Sequence, residues 1–229
     1  FGLFQKRLAD LPTERIQETI PQFHNGVLRI DALEKAVRED KQNRVEATQP
    51  EIEFCQTNRG IVQIFADAQA KGELPQRITH NDTKIDNVLL DQNTDEVMCI
   101  VDLDTVMPGL IHYDFGDMVR TLTSPADEDE RDLDKVTMRM DFFDALAKGY
   151  LSEANDFLSE AEKGYLAQAG KVITFQLGVR FLTDHLNGDT YFRVHREGQN
   201  LDRARVQFKL VERMLENEEA MKATIAKLG

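Results

Sequence analysis

The segment from residue 77 to residue 104 most constrains the fold, because its pattern differs from that of the rest of the chain. Three short apolar runs separated by Asn- and Asp-containing clusters predict short strands and a hairpin. These runs occupy residues 77–79, 88–90 and 97–101. Elsewhere apolar residues recur at three- and four-residue spacings, which predicts amphipathic helices. We therefore predict an α+β fold that is mostly α-helical and carries a small β insert.

The helical pattern precedes and follows the insert. Residues 3–40 fit a helical period apart from a loop at 21–26. Pro50 is predicted to open a longer helix that stops at Lys71-Gly72, because proline suits a first helical position and glycine a stop. Pro108-Gly109 is expected to be a turn, and from Phe115 onward the helical period returns.

The composition predicts one compact unit over residues 1–229. Of its residues 41% are hydrophobic, with only 13 Gly and 6 Pro, which excludes collagen-like and largely disordered chains. We divide this unit into a helical part (1–76), a loop-bearing β insert (77–104) and a second helical part (105–229). The length is within the usual range of one domain.

The charge balance narrows the possible partners. The chain has 41 acidic and 28 basic residues, a net charge of −13, which repels phosphate backbones and disfavours nucleic acid as a partner. No run approaches the roughly 18 to 20 apolar residues that a membrane span needs, so no membrane partner is expected. Two cysteines, Cys55 and Cys99, cannot form a disulfide framework and favour a reducing, cytoplasmic compartment.

Polar residues with catalytic potential concentrate in the β insert. The stretch from His80 to Asn87 has the pattern H-x-D-x-K-x-x-N, with Asp82 as its acid, and Asp102 follows the last strand. Phosphoryl transfer needs a carboxylate that orients the acceptor hydroxyl and takes its proton. It also needs oxygen ligands that hold Mg²⁺ against the phosphates, a role that suits Asn87 and Asp102.

Two further residues of the motif have physical roles in the same chemistry. Lys84 is placed to offset negative charge on the transferred phosphoryl group. His80 is expected to brace the loop by hydrogen bonding to backbone or to the second carboxylate. The other histidines, including His24, show no metal-ligand spacing and are expected to be structural or solvent-facing.

The same residues carry a family resemblance. The His80–Asn87 loop resembles the catalytic loop shared by protein kinases and the aminoglycoside phosphotransferase and choline kinase superfamily. Longer stretches of the chain resemble the N-acetylhexosamine 1-kinase branch of that superfamily; they are residues 18–25, 79–84, 101–109, 114–117, 180–184 and 187–192.

The resemblance implies a role for each matching residue. Asp82 is implied as the catalytic base, Asn87 and Asp102 as Mg²⁺ ligands, and Asp104 as a residue beside the metal or at a second metal. ATP is implied as co-substrate and a small sugar as acceptor.

A second acidic motif follows the insert. The sequence Asp114-Phe115-Gly116 spells the metal motif of protein kinases, but no strand precedes it and Asp102 fits the metal role better. Asp114 and Asp117 are therefore expected to cap and orient the following helix.

The helical part is expected to contact the acceptor sugar. Under the resemblance, Arg180 and Tyr191 are the polar groups placed against its ring and hydroxyls. Each has a structural alternative: Arg180 could pair with Asp184 one helical turn away, and Tyr191 could be a core aromatic with a satisfied hydroxyl.

Kinases of this superfamily also carry an N-terminal β lobe with a phosphate-covering loop and a lysine that holds the nucleotide. The chain has no G-x-G-x-x-G and no strand-rich segment before residue 77. We therefore interpret it as a kinase-like C-terminal lobe without that β lobe, and expect it to bind sugar and metal but to turn over nucleotide poorly.

Three functions follow from these expectations. The first is transfer of the ATP γ-phosphoryl to the anomeric hydroxyl of an N-acetylhexosamine. The second keeps the chemistry but uses an aminoglycoside, choline or homoserine as acceptor, which the net charge of −13 favours for cationic acceptors. The third is a non-catalytic sugar-binding relic. The oligomeric state is left open.

Overall fold

The computed structural model describes residues 1–94 and 96–229 and confirms the predicted fold class. About 62% of the chain is helical, and the strands are short. The helices are α1 (Gly2–Leu8), α2 (Gly26–Glu39), α3 (Gln49–Thr57), α4 (Gln63–Ala70), α5 (Ile111–Leu122), α6 (Met140–Ala154), α7 (Glu160–Asn187), α8 (Gln199–Glu216) and α9 (Glu218–Leu228). The strands are β1 (Arg77–Thr79), β2 (Val88–Leu90), β3 (Val97–Ile100) and β4 (Met107–Gly109). Within the described residues no strand precedes Arg77.

The strands form two antiparallel pairs. β2 and β3 form the predicted hairpin, with Val88 opposite Ile100. β1 pairs with β4, with Ile78 opposite Pro108. The expectation that Pro108-Gly109 is only a turn was wrong, and the β segment extends past residue 104. Proline lacks a backbone N–H, and it is tolerated here because each strand of a two-stranded sheet is an edge strand.

The first predicted helical region is shorter than its apolar pattern suggested. α1 ends at Leu8, and residues 9–25 are non-helical apart from one 3₁₀ turn at Thr13–Arg15. Pro12 and Pro21 lie in this stretch, and each disfavours helical backbone in the residue before it. The helix resumes at Gly26, where the Asn25 side chain accepts a hydrogen bond from the backbone N–H of Leu28.

The continuous helix predicted from Pro50 to Lys71 was also wrong. α3 stops at Thr57, and the Asn58 side chain donates to the carbonyl oxygen of Phe54 at 2.9 Å. A 3₁₀ turn, Arg59–Val62, separates α3 from α4. Gly60 lies in this turn, where its low helix propensity favours the interruption.

Helix α7 runs through the centre of the molecule. Its 28 residues begin with a capping box formed by Ser159 and Glu162, and it packs against α2, α5, α8 and α9. Glu162 also pairs with Arg77 at the start of β1, with distances of 2.7 Å (Nε to Oε1) and 2.9 Å (Nη2 to Oε2). Burial opposes ionisation of Glu162, but hydrogen bonds from Arg77 and Ser159 outweigh it and lower its pKa.

Among the helices of residues 1–94 and 96–229, none combines the length and the apolar character that a membrane span requires. Cys55 is buried and Cys99 is exposed, and both are free thiols.

Candidate active site

The loop after β1 is fixed to the sheet by the side chain of Asn81. Asn81 adopts a left-handed backbone conformation (φ 67°) and is buried. Its amide nitrogen donates to the carbonyl oxygens of Thr79, Thr105 and Met107, at 3.2, 3.0 and 3.3 Å. Its Oδ1 accepts from the Thr79 hydroxyl at 3.1 Å. Because these contacts occupy the whole amide, the residue before Asp82 is held rigidly.

Asp114, on α5, supports the same loop through hydrogen bonds to its backbone. Its carboxylate is completely buried and accepts the backbone N–H of His80 at 2.9 Å and of Asn81 at 2.7 Å. The Gln5 amide donates to it at 2.8 Å. Burial raises the pKa of Asp114, although these hydrogen bonds oppose the shift. The expectation that Asp114 and Asp117 cap α5 was therefore wrong, since the helix begins after Leu110 and both residues lie within it.

Asp82 presents one occupied and one open carboxylate oxygen. Oδ2 accepts from Lys84 Nζ at 2.9 Å and from the Asn87 amide at 3.0 Å. No donor from residues 1–94 or 96–229 contacts Oδ1, and the side chain is 27% exposed. Burial lowers the pKa of Lys84, but the hydrogen bond and charge of Asp82 outweigh this and raise it. An incoming hydroxyl can therefore reach Asp82 through Oδ1.

His80 connects the loop to the end of the hairpin. Its Nδ1 accepts from the backbone N–H of Asp82 at 3.3 Å, so its Nε2 carries the proton and donates to the Val101 carbonyl at 3.1 Å. The rings of Phe1 and Phe4 pack edge-on against the imidazole, at centroid distances of 5.3 and 5.9 Å. This geometry fits the predicted bracing position, and a direct catalytic part for His80 stays a prediction.

Asn87 and Asp102 lie at the open end of the hairpin. The backbone N–H of Val101 donates to the Asn87 carbonyl at 3.0 Å, which holds the two segments together. The Asn87 amide nitrogen is occupied by Asp82, so its Oδ1 is left free to bind another group. Asp102 adopts a left-handed conformation (φ 63°), and its exposed carboxylate makes no hydrogen bond to the described part of the chain.

The donor set of Asn87 and Asp102 fits Mg²⁺. Hard oxygen ligands from one or two side chains, completed by water and phosphate, are what this ion prefers. Asp104 is exposed on the turn after Asp102, and its carbonyl accepts from the Thr19 hydroxyl at 3.0 Å. Within residues 1–94 and 96–229 no three His, Cys, Asp or Glu side chains form a group that could hold a metal. A place for Asp104 at a second metal stays a prediction.

Arg180 and Tyr191 come together beside the loop. The Arg180 guanidinium lies 3.3 Å from the Tyr191 hydroxyl and packs on the rings of Tyr191, Phe192 and Phe23 at 5.6, 5.2 and 5.7 Å. Tyr191 is 72% exposed, so the alternative of a core aromatic was wrong.

The alternative pairing of Arg180 with Asp184 was wrong as well. The Asp184 carboxylate accepts the backbone N–H groups of Thr190, Tyr191 and Phe192 at 2.9 to 3.0 Å and the Asn200 amide at 3.0 Å. Asp184 therefore shapes the turn that presents Tyr191 and leaves the guanidinium free of this carboxylate.

Two cavities that share Arg180 extend from Asp82 to Tyr191. A cavity of about 90 Å³ is lined by Asp82, Asp117, Gln176 and Arg180 among others. A second, of about 230 Å³, is lined by Arg180, Tyr191 and Arg29. Asp117 binds Arg120 through Oδ1 at 2.8 to 2.9 Å, and its Oδ2 is buried without a partner in the described residues. The sequence pattern gave no role to Gln176; only its position on an inward face of α7 could have indicated one.

This combination of a mostly helical lobe and a loop carboxylate beside an amide and a second carboxylate is that of a kinase-type phosphotransferase. Residues 1–157 match the family model APH, described as the phosphotransferase enzyme family. The match covers more than half of the 229 residues, and the chain belongs to this family. The predicted superfamily is confirmed. The matched residues include the whole loop and hairpin, whereas Arg180 and Tyr191 lie beyond them.

Proposed function

We propose that this phosphotransferase transfers the γ-phosphoryl group of ATP to the anomeric hydroxyl of an N-acetylhexosamine. The observation that carries the proposal is the continuous cavity wall from Asp82 to Arg180, next to the exposed ring of Tyr191. A carboxylate with one open oxygen thus adjoins a space bounded by a guanidinium and an aromatic face. Such surfaces suit the hydroxyls and the ring of a sugar.

Asp82 acts as the base in this proposal. Lys84 and Asn87 hold Oδ2, which fixes the carboxylate and directs Oδ1 toward the acceptor. An anomeric hydroxyl is more acidic than an ordinary alcohol, so one positioned carboxylate is adequate to accept its proton. Asp117 Oδ2, buried and unpaired among the described residues, is placed to accept a further sugar hydroxyl.

Asn87 and Asp102 would hold Mg²⁺. When bound, the ion neutralises negative charge on the phosphates of the nucleotide. The apolar side chains of Leu89, Val97 and Met98 are exposed on the hairpin beside this position. They offer a surface for the nucleotide base, while the chain supplies no glycine-rich clamp for its phosphates.

The charges near the acceptor cavity favour a neutral sugar over an amine-bearing acceptor. Arg29 and Arg180 line the larger of the two cavities, and neither forms an ion pair with the described residues. The carboxylate there, Asp184, is occupied by backbone N–H groups. The net charge of −13 attracts cations to the protein as a whole, but these local charges repel an ammonium group at contact distance.

A panel of acceptors tests the proposal. ADP release is expected with N-acetylglucosamine or N-acetylgalactosamine and not with an aminoglycoside, choline or homoserine. Activity only on an amine-bearing acceptor would overturn the proposed acceptor. Sugar binding with no ADP release from any acceptor would favour the non-catalytic alternative.

Replacement of the base provides the matched mutational test. Asp82→Asn keeps the shape of the side chain but removes the proton acceptor, so turnover should fall by about 10³-fold with sugar affinity little changed. Isothermal titration calorimetry measures the sugar affinity of the variant. Wild-type turnover in this variant would show that Asp82 is not the base.

A further inference from the structure

Gln176 is a buried amide that finds no partner in the described part of the chain. It lies on α7, its exposed fraction is 6%, and neither its nitrogen nor its oxygen makes a hydrogen bond within residues 1–94 and 96–229. A polar group on a cavity wall is satisfied by water or by a ligand that enters the cavity. Gln176 lines the cavity that contains Asp82 and also a larger one of about 260 Å³, which shares Phe23, His24 and Asn81 with the first.

His24 is a second neutral group on the same wall. Its ring stacks on Tyr113 at 4.3 Å, it lines both cavities, and its Nε2 is buried without a partner among the described residues. Burial lowers the pKa of His24 to about 3, so the imidazole is uncharged at neutral pH and has one donor and one acceptor. The expected structural or solvent-facing role of His24 gave no indication that it lines these cavities.

The position of the Gln176 amide depends on the absence of a side chain at residue 26. Gly26 begins α2, and a Cβ atom there would lie 2.7 Å from Gln176 Nε2. Asn81 completes the wall, but its amide is fully occupied by the loop. Gln176 and His24 therefore offer hydrogen-bonding capacity on this wall that Asn81 cannot.

We propose that Gln176, with His24, binds the N-acyl group of the acceptor and makes the site selective for a 2-acetamido sugar; this inference rests on the proposed function. An acetamide has one carbonyl acceptor and one N–H donor, and the Gln176 amide has the complementary pair. The larger cavity then receives the methyl end of the acyl group. A hydroxyl at the same carbon is too short to make both contacts.

The neighbouring charges argue against an ammonium group in this position. Asp82 is paired with Lys84, and Asp117 is paired with Arg120. Arg180 lines the same cavity, and no carboxylate of the described residues pairs with it. A free 2-amino group beside Gln176 and His24 would thus meet two neutral side chains, while Lys84 and Arg120 offset the charges of the nearby carboxylates.

Calorimetry with three sugars tests the inference. The wild-type chain is expected to bind N-acetylglucosamine about tenfold more tightly than glucose or glucosamine. Gln176→Leu removes the amide at similar size, so the preference should fall to about twofold while glucose affinity changes little. Gln176→Glu should shift the preference toward glucosamine, because it adds a carboxylate.

Gln168→Leu is the matched control on the same helix, since Gln168 donates to Glu218 at 3.1 Å and lines neither cavity. It should retain the tenfold preference.

If Gln176→Leu fails to fold, Gln176→Asn, which retracts the amide by one methylene, should lower the preference instead. If the folded Gln176 variant keeps the wild-type preference for N-acetylglucosamine, the inference is overturned and the proposed function still stands. Failure of the wild-type chain to bind any hexose overturns the proposed function, and the inference with it.

Discussion

Two regions of the proposed site, the His80–Asn87 loop and the wall formed by His24 and Gln176, differ in how their polar groups are paired. In the loop, the buried polar groups of Asn81 and Asp114 are all paired within the protein. In the wall, His24 Nε2 is buried without a partner among residues 1–94 and 96–229, and the Gln176 amide makes no hydrogen bond to them. The backbone of the loop is therefore fixed without a ligand, whereas the proposed role of the wall requires a ligand to pair with it.

The difference corresponds to two requirements of a transferase, which must hold its reacting groups in place and must select its substrate. Groups that act on the reacting atoms gain from being held in place beforehand, because reorganisation during the reaction raises the barrier. Groups that select a substrate discriminate best when a wrong substrate leaves them unpaired. Substitutions in the loop should accordingly reduce stability most, and those in the wall should change binding most.

The largest effect on stability is expected at Asp114. Asp114→Ala leaves the buried N–H groups of His80 and Asn81 without an acceptor, and the free energy of unfolding should fall by about 3 kcal/mol. Urea denaturation measures it. Asp117→Ala, on the same helix, loses only contacts to Arg120 and should cost about 1 kcal/mol. Equal losses in the two variants would show that Asp114 is not the main support of the loop.

A smaller effect on stability is expected at the ion pair between Glu162 of α7 and Arg77 of β1. Glu162 is 1% exposed and pairs with Arg77, so Glu162→Gln should lower the free energy of unfolding by about 2 kcal/mol at pH 7. The folded-state pKa of Glu162 lies below its usual 4.5. Its ionised form therefore stabilises the fold above that pH, and the contribution is lost as the pH falls through the folded-state pKa.

The difference between wild type and Glu162→Gln should accordingly shrink in urea titrations below pH 4.5. Glu160→Gln is the control, because the Glu160 side chain is 90% exposed in its pair with Lys163. It should change stability by less than about 0.5 kcal/mol. A constant difference across the pH range would contradict the assignment.

The smallest effect on stability is expected at Arg180. Arg180→Ala removes cation–π contacts to three rings, and the free energy of unfolding should change by less than about 1 kcal/mol. The affinity for N-acetylglucosamine, measured by calorimetry, should nevertheless fall about tenfold. Tyr191→Phe removes only a hydroxyl and should weaken binding about threefold or less. Unchanged affinity in Arg180→Ala would remove this residue from the acceptor site.

Much of the loop and hairpin could be predicted because their signals are local. The alternation of short apolar runs with Asn and Asp clusters predicted β1, β2 and β3, and the motif from His80 to Asn87 lies in the loop where it was expected. The pairing of β1 with β4 was missed, because the two strands are distant in the chain and Pro108 disfavours a strand assignment. The break between α3 and α4 was missed because the apolar stripe continues through it.

The sequence by itself determined the kind of chemistry this chain can carry, since the acid, lysine and amide of the motif are fixed by their order along a few residues. Only the tertiary structure decided which oxygen of Asp82 is open, that Asp114 supports the loop, and that Gln176 has no partner among the described residues. These properties depend on contacts between α1, α5, α7 and the loop, which are far apart in the chain. Hydrogen-bond satisfaction is a property of the assembled core, so no local pattern can express it.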